Sequence, residues 1–347
     1  MNQDNFCFLY NGEAVGVHEI PLRPIAAFRE EVLEKTASGA RLVSFFATPT
    51  AGAEAVRLYA VLGDPDDGGF YVAAADVTES YPALTPECTQ AHLFEREIAE
   101  QWGIRPEGHP WLKPVRFHAP YRPAPGKEKK ADILPGVTDH YQISGEAVHE
   151  VAVGPVHAGI IEPGHFRFQC HGEIVMHLEI SLGYQHRGIE RSLLGGPDRR
   201  TLPIMETLAG DTTIGHTLAY CQGIEALTGA RAPFRAEEIR GIALELERLA
   251  NHTGDLGALS GDVAYLPTAS FCGRLRGDFL NMTALLCGNR FGRGWIRPGG
   301  SFWDMDAKRA DELIQRLDTA YRELTNAVDL LWNTPSVMAR FEDTGRI

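Results

Sequence analysis

The sequence predicts an α+β fold in two parts, a small α/β domain followed by a β-meander that leads into a helical bundle. Three observations predict it: strand-like runs crowd the first third, a Pro/Gly-rich charged stretch interrupts the chain near residue 122, and helical periodicity takes over after residue 212. The 347 residues are 44% apolar and 23% charged, which suits globular domains with a substantial core and excludes a disordered or low-complexity chain.

Ile25 to Ser38 predicts a helix, with Ile25, Phe28, Val32 and Leu33 at helical spacing. Arg41 to Thr48 (RLVSFFAT), Ala55 to Leu62 (AVRLYAVL) and Gly69 to Val77 (GFYVAAADV) predict strands separated by turn residues. A helix then carries Glu95, Arg96 and Glu97, stops at Gly103, and gives way to a loop rich in Pro, Gly and His; by itself the charged triplet reads as a solvated helix face. Arg122 to Gly136 (RPAPGKEKKADILPG) holds three prolines and the run Lys127-Glu128-Lys129-Lys130, so it reads as an exposed connection. The expected domains are 1–121 and 146–347, with 122–145 as the linker.

Downstream, Glu146 to Val153 (EAVHEVAV) alternates apolar and polar residues, and Gly154 to Gly164 reads as a loop. His165 to Cys170 and Glu173 to Ile180 flank the short turn His171-Gly172, a hairpin signal that completes a three-stranded meander. Helices are expected over Thr212 to Leu227, over Ala236 to Ala250 with Ile239, Ile242, Ala243, Leu246 and Leu249 on one face, and from Asp306 to Leu331. His252 is expected at a helix end, where the helix dipole favours an imidazolium.

With 33 Lys+Arg against 46 Asp+Glu, the net charge of −13 argues against nucleic acid or an anionic lipid surface as a general partner. No stretch approaches the ~20 apolar residues of a membrane span, and MNQDNFCFLYNGEAVG lacks the pattern of a secretory leader, so a cytoplasmic protein is expected. Cys7, Cys88, Cys170, Cys221, Cys272 and Cys287 stand singly, without a CxxC pair, and read as small buried residues.

FEREIAEQWGI followed by GHPWLKPVRF resembles the signature of the 30 kDa (C) subunit of NADH-quinone oxidoreductase and of the matching domain of group 4 membrane-bound nickel–iron hydrogenases. GPVHAGIIEPGHFRFQCHGEIVMHLEISLGYQHRGIER, with GHTLAYCQGIEALTGARAP, EIRGIALELERLANH and GNRFGRGWIRPGG, resembles the 49 kDa (D) subunit and the hydrogenase large subunit from Gly154 onward. IEPGHFRF is nearer to the hydrogenase branch, and the family's bundle continues past FEDTGRI, so the second domain is expected to be C-terminally incomplete.

In the hydrogenases, two CxxC pairs hold nickel and iron through soft thiolates. Where the resemblance places the first pair, this chain has Ala209 and Thr212, in the frame Ala209-Gly210-Asp211-Thr212-Thr213-Ile214-Gly215-His216. No metal is therefore expected on this chain. In the quinone-reducing branch, a His and a Tyr donate to the two carbonyls of the quinone and an Asp backs the His. His157 and Asp262 match the His and the Asp, whereas Gly210 replaces the Tyr and removes one donor. A carboxylate behind an imidazole stabilises its charged form and suits it to deliver a proton to a carbonyl acceptor. The plainer reading makes His157 a turn residue and Asp262 a helix-end residue. Glu162 matches a position that passes protons in the hydrogenase branch, and is otherwise a turn residue before Pro163. His186, Arg187 and Glu190 line a charged path or brace the sheet.

The resemblance implies a subunit of a complex I-related oxidoreductase that passes electrons from a partner's iron–sulfur cluster to a quinone-like acceptor. Its alternatives are a non-catalytic coupling subunit of an energy-converting hydrogenase-related complex and a nickel–iron hydrogenase large subunit, the latter opposed by Ala209 and Thr212. The implied partners are a small iron–sulfur subunit and membrane-arm subunits, on the cytoplasmic face of the inner membrane. The iron–sulfur clusters, and any dependence on NAD(H), belong to those other subunits, because this chain offers neither a cluster ligand set nor a GxGxxG turn.

Overall fold

The computed structural model describes residues 5–52, 54–122, 136, 138–156 and 162–344. By contact the chain forms two units, Met1–Arg187 and Gly188–Ile347. The three-stranded sheet thus groups with the N-terminal half, a division by contact where the linker at 122–145 is a division by composition. Residues 123–135 and 137 of that linker lie outside the described residues.

In the first unit an antiparallel sheet runs in the order β1-β4-β3-β2, from Cys7–Leu9 (β1), Arg41–Pro49 (β2), Val56–Asp64 (β3) and Gly69–Val77 (β4). The expected strands and their helix therefore form nearly to the residue. Leu42, Phe45, Leu58, Ala60 and Leu62 of the sheet are buried in one core with Phe28 and Val32 of α1 (Ile25–Ala37). A bulge between Leu42 and Ser44 on the edge strand coincides with a backbone amide, that of Leu42, donated to Gln90 Oε1 at 2.8 Å. Two short strands, β5 (Ser80–Pro82) and β6 (Arg105–Glu107), pair in parallel and bracket α2 (His92–Trp102).

The second sheet consists of β7 (Val148–Val156), β8 (Gly164–His171) and β9 (Ile174–Ser181), antiparallel in sequence order. Its register separates a mainly apolar face from a mainly polar one. Val151 pairs with Phe168 and Val153 with Phe166, while these pair on with Leu178 and Ile180, which makes one face apolar. Glu150, Arg167, Gln169, His177 and Glu179 make the other face polar.

The second unit opens with the short helices α3 (Ile189–Ser192) and α4 (Thr201–Met205) and continues with α5 (Thr213–Thr228), α6 (Phe234–Asp262) and α7 (Leu266–Cys287). A small hairpin, β10 (Ile296–Arg297) and β11 (Gly300–Ser301), precedes α8 (Ala307–Trp332) and α9 (Pro335–Phe341). α6 runs twelve residues past the expected end at Ala250, so His252 lies inside a helix and not at the dipole's end, contrary to expectation. A stripe of small buried residues on α6, Ala243, Ala250, Thr253, Gly257 and Ser260, lets α7 approach closely. A Cβ at Gly257 would stand 3.1 Å from the Cβ of Cys272. All six cysteines are free, and all but the half-buried Cys7 are buried, as their scatter suggested.

A buried ion pair holds this unit together. Arg240, 1% exposed, donates to Glu225 Oε1 at 2.6 Å, to Glu225 Oε2 at 3.1 Å and to the carbonyl of Arg297 at 2.7 Å. The amide of Gly299 donates to the same carboxylate at 2.6 Å, so α5, α6 and the small hairpin converge on it. The Arg240 hydrogen bonds hold the Glu225 carboxyl below its ordinary pKa. Removing one partner of such a pair leaves a buried charge behind, so Arg240→Met should cost about 3–5 kcal/mol of unfolding free energy in urea titration.

Candidate functional site

The helix α2 and the loop after it form the first candidate region. Glu95 is 0% exposed and accepts from the amides of Leu84 (2.7 Å) and Thr85 (3.0 Å) and from Thr85 Oγ1 (2.6 Å). The solvated-face reading of this residue is therefore corrected: a carboxylate that satisfies two backbone donors is part of the core. Arg96 donates to the carbonyls of Lys113 (2.7 Å) and Pro114 (3.0 Å) and lies over the Trp111 ring. Glu97 accepts from Arg116 at 3.0 Å. Glu100, one turn beyond Arg96, accepts the amides of Val115, Arg116 and Phe117 at 2.9, 2.8 and 2.6 Å. The charged half of the FEREIAEQWGI signature is thus a clamp on the GHPWLKPVRF half.

His109 completes the loop. Its Nδ1 accepts the Trp111 amide at 3.1 Å, which leaves the proton on Nε2, and Nε2 lies 3.2 Å from the carbonyl of His92. Burial lowers the pKa of both His92 and His109, and the nearby Arg96 charge lowers them further.

The clamped loop delivers Lys113 to the polar face of the second sheet. Lys113 Nζ donates to Glu179 Oε1 at 2.5 Å and also to the carbonyl of Asp139. The Tyr141 amide donates to Glu179 Oε2 at 2.9 Å, and His140 Nδ1 stands 3.5 Å from Oε1. Burial opposes ionisation of Glu179, but Lys113, the Tyr141 amide and His140 outweigh it and hold its pKa below the ordinary value. Neither Lys113 nor Glu179 was singled out from sequence. The signal lay in the alternation of EIVMHLEI, where a charged residue at an inward position needs an internal partner.

Of the residues expected at a site, His157 lies outside the described residues, and with it the geometry of the His157–Asp262 pair. Glu162 is exposed just before β8. His186 is half-buried after β9, stacks on His118 with ring centroids 5.3 Å apart, and has Nδ1 3.5 Å from Arg116 Nη1. Arg187 follows it, exposed, and closes the first unit. In the second unit Glu190 lies on α3, and Asp262 is the exposed last residue of α6.

The loop that carries Ala209, Gly210 and Thr212 ends at α5. Glu247 of α6 accepts the amides of Ile214 (2.6 Å) and Gly215 (2.9 Å), at the first turn of α5. Asn251 donates to the carbonyl of Asp211 at 3.2 Å, and Thr213 Oγ1 to that of Glu206 at 3.1 Å. The Glu206 carboxylate in turn accepts the amide of Gly294 at 2.6 Å. Gly292 must be glycine: its φ is +74°, and a Cβ would stand 2.4 Å from Ile214 Cδ1. At Gly210, by contrast, a Cβ would meet nothing within 4 Å, so the missing aromatic donor is not excluded by backbone crowding. Ala209 offers no donor atom and Thr212 only a hard hydroxyl, a poor fit to nickel. Among the described residues no group of three or more His, Cys, Asp or Glu could hold a metal ion.

Comparison with known proteins matches residues 60–127 to the family described as respiratory-chain NADH dehydrogenase, 30 Kd subunit, and residues 262–347 to its 49 Kd subunit family. Formate hydrogenlyase subunit 5 of Escherichia coli is 29% identical over 286 residues, 77% of this chain and 49% of that protein. The C/D subunit of NADH-quinone oxidoreductase from Bdellovibrio bacteriovorus is 25% identical over 266 residues, 72% of this chain and 48% of that protein. The chain spans about half the length of the curated relatives it matches. A chain in the structure of the membrane-bound sulfane sulfur reductase, an archaeal respiratory membrane complex, shares the fold with a TM-score of 0.53 at 20% identity, over 58% of this chain and 54% of that one.

Two measurements test these clamps. Glu95→Ala strands buried donors at Leu84 and Thr85 and should cost about 3 kcal/mol in chemical denaturation. Burial and the Asp211 charge push the Glu247 carboxyl above its ordinary value of 4.5, against the pull of its amide donors. The unfolded chain then gives up its proton at lower pH than the folded one, so this group's contribution to stability falls as pH rises from 4.5 through the raised value. Glu247→Gln should flatten that part of the stability–pH curve.

Proposed function

We propose that this chain, a relative of the NADH-quinone oxidoreductase C/D subunits and of the group 4 membrane-bound hydrogenase subunits, serves in a complex I-related oxidoreductase and passes electrons from a partner's iron–sulfur cluster to a quinone-like acceptor. One observation carries the choice of acceptor: where the resemblance places the first metal-binding pair stand Ala209 and Thr212, so hydrogen chemistry on nickel would lack these two ligands while His157 and Asp262 remain. Reduction of a quinone needs protons as well as electrons. His157 would donate one to the developing oxyanion, with the Asp262 carboxylate favouring the charged imidazole beforehand. Glu162, exposed just before β8, would take part in resupply, and His186, Arg187 and Glu190 would line or brace the path.

The clusters, and NAD(H) if it is the donor, would be held by other subunits. Association with the membrane would run through membrane-arm partners on its cytoplasmic face: among the described residues no helix is long and apolar enough to cross a membrane, and a net charge of −13 disfavours anionic lipid.

Gly210 favours a second reading, a coupling subunit that keeps the fold and interfaces but not the redox step, since one acceptor donor is missing. Decylubiquinone reduction by the purified complex separates the two. His157→Ala should lower turnover about 100-fold or more, and Asp262→Asn should lower it too, the scale expected for a lost general acid. Unchanged turnover in both variants selects the coupling reading. Stoichiometric nickel on this chain by elemental analysis would overturn both.

A further inference from the structure

The clamped loop and the second sheet meet at one buried carboxylate. Glu179, 4% exposed on the polar face of the edge strand β9, takes Lys113 on one oxygen and the Tyr141 amide on the other. Lys113 is not free to wander: Arg96 holds its carbonyl and Glu100 holds the amides of the residues that follow Pro114. The position of the ammonium is therefore set by α2. Arg167, the register partner of Glu179 on β8, is engaged by Glu150, and His177 lies two residues along the same face, so among the described residues Lys113 and His140 are the groups whose nitrogens come within 4 Å of the Glu179 carboxylate.

From Glu179 the contacts continue toward the base of the β7–β8 connection. The His140 ring stands edge-on to that of His165, with centroids 6.2 Å apart. His165 follows Gly164, which pairs with Val156. At Gly154 the two strands approach so closely that a Cβ would lie 2.6 Å from the Gly164 carbonyl oxygen and 2.8 Å from the Cα of His165. A shift of His165 is thus felt on both strands that enter the connection.

We propose, building on the acceptor reading above, that Lys113 and Glu179 are positioning residues through which the 30 Kd-type segment sets the geometry of the β7–β8 end of the second sheet, next to Glu162. Lys113 neutralises and anchors Glu179; Glu179 anchors the 139–141 segment; His140 then packs His165 against Gly154. Neither residue touches the acceptor. The role is distinct from general bracing because it requires a charge at position 113 and predicts an effect at the far end of the sheet.

The test follows hydrogen exchange of the full chain in its complex, at peptides covering residues 162–171, beside decylubiquinone reduction. Glu179→Gln and Lys113→Met should speed exchange there about tenfold, with exchange in β3 unchanged as a measure of intact folding. The same variants should lower kcat/KM by at least a similar factor, and Lys113→Arg, which keeps the charge, should restore both readouts. Faster exchange confined to residues 109–117 and 138–143 would overturn the proposal. So would turnover that depends on His157 but is indifferent to Glu179→Gln. If His157→Ala also leaves turnover untouched, the acceptor reading is what fails, and exchange at 162–171 decides the positioning role by itself.

Discussion

Backbone N–H groups with no carbonyl to pair with are taken by carboxylates throughout this chain, and its irregular segments depend on that pairing. Glu95 holds the turn at Leu84 and Thr85, and Glu100 holds Val115 to Phe117. Glu179 takes Tyr141, Glu206 takes Gly294, Glu225 takes Gly299, and Glu247 takes Ile214 and Gly215. The amides of the buried residues Leu84, Thr85 and Ile214 would otherwise be donors removed from water without a partner, and a charged acceptor satisfies them with a stronger bond than a neutral one. The acidic balance of the sequence is thus partly internal.

What lies on the far side of each carboxylate decides its protonation behaviour. Glu225 and Glu179 have Arg240 and Lys113 against them, and both stay ionised below the ordinary carboxylate range. Glu247 is desolvated among amides and near Asp211, and its affinity for a proton rises instead. The same side chain in the same structural duty therefore produces opposite pH dependences, one stabilising on ionisation and the other on protonation.

Regular elements were readable from period alone: α1, β2 to β4, the β8–β9 hairpin, α5 and α8 follow the alternations of RLVSFFAT, AVRLYAVL and HFRFQC and the helical stripes. α7 was not foreseen: its buried stripe of Cys272, Leu275, Phe279, Met282 and Leu286 has helical spacing, but Phe271, Gly273, Gly277 and Leu280 off the stripe blur the contrast with the outer face. The end of α6 was set too early for a related reason: its closing turns bury Thr253, Gly257 and Ser260 and not large apolar residues. At the candidate sites the resemblance located the segments, but the partnerships were out of reach. Glu95 and Arg96 look like a solvated pair until Leu84 and Lys113 are known to lie beside them, and those contacts are set by the tertiary fold.

The loop from Ala209 to Gly215, where the resemblance expects metal ligands, shows what such partnerships accomplish. In a metal-built site the thiolates would supply much of the order of this loop. Here Asn251 ties Asp211, Thr213 ties back to Glu206, Glu247 closes the first turn of α5, and Ile214 seats against Gly292. These contacts come from α6, from the residues just before the loop and from the segment after α7, so the loop is fixed from three directions by protein atoms alone. The loop where the resemblance expects soft donors is therefore ordered by hydrogen bonds and packing, the kind of fixed surface that the proposed quinone-like acceptor or coupling interface would require.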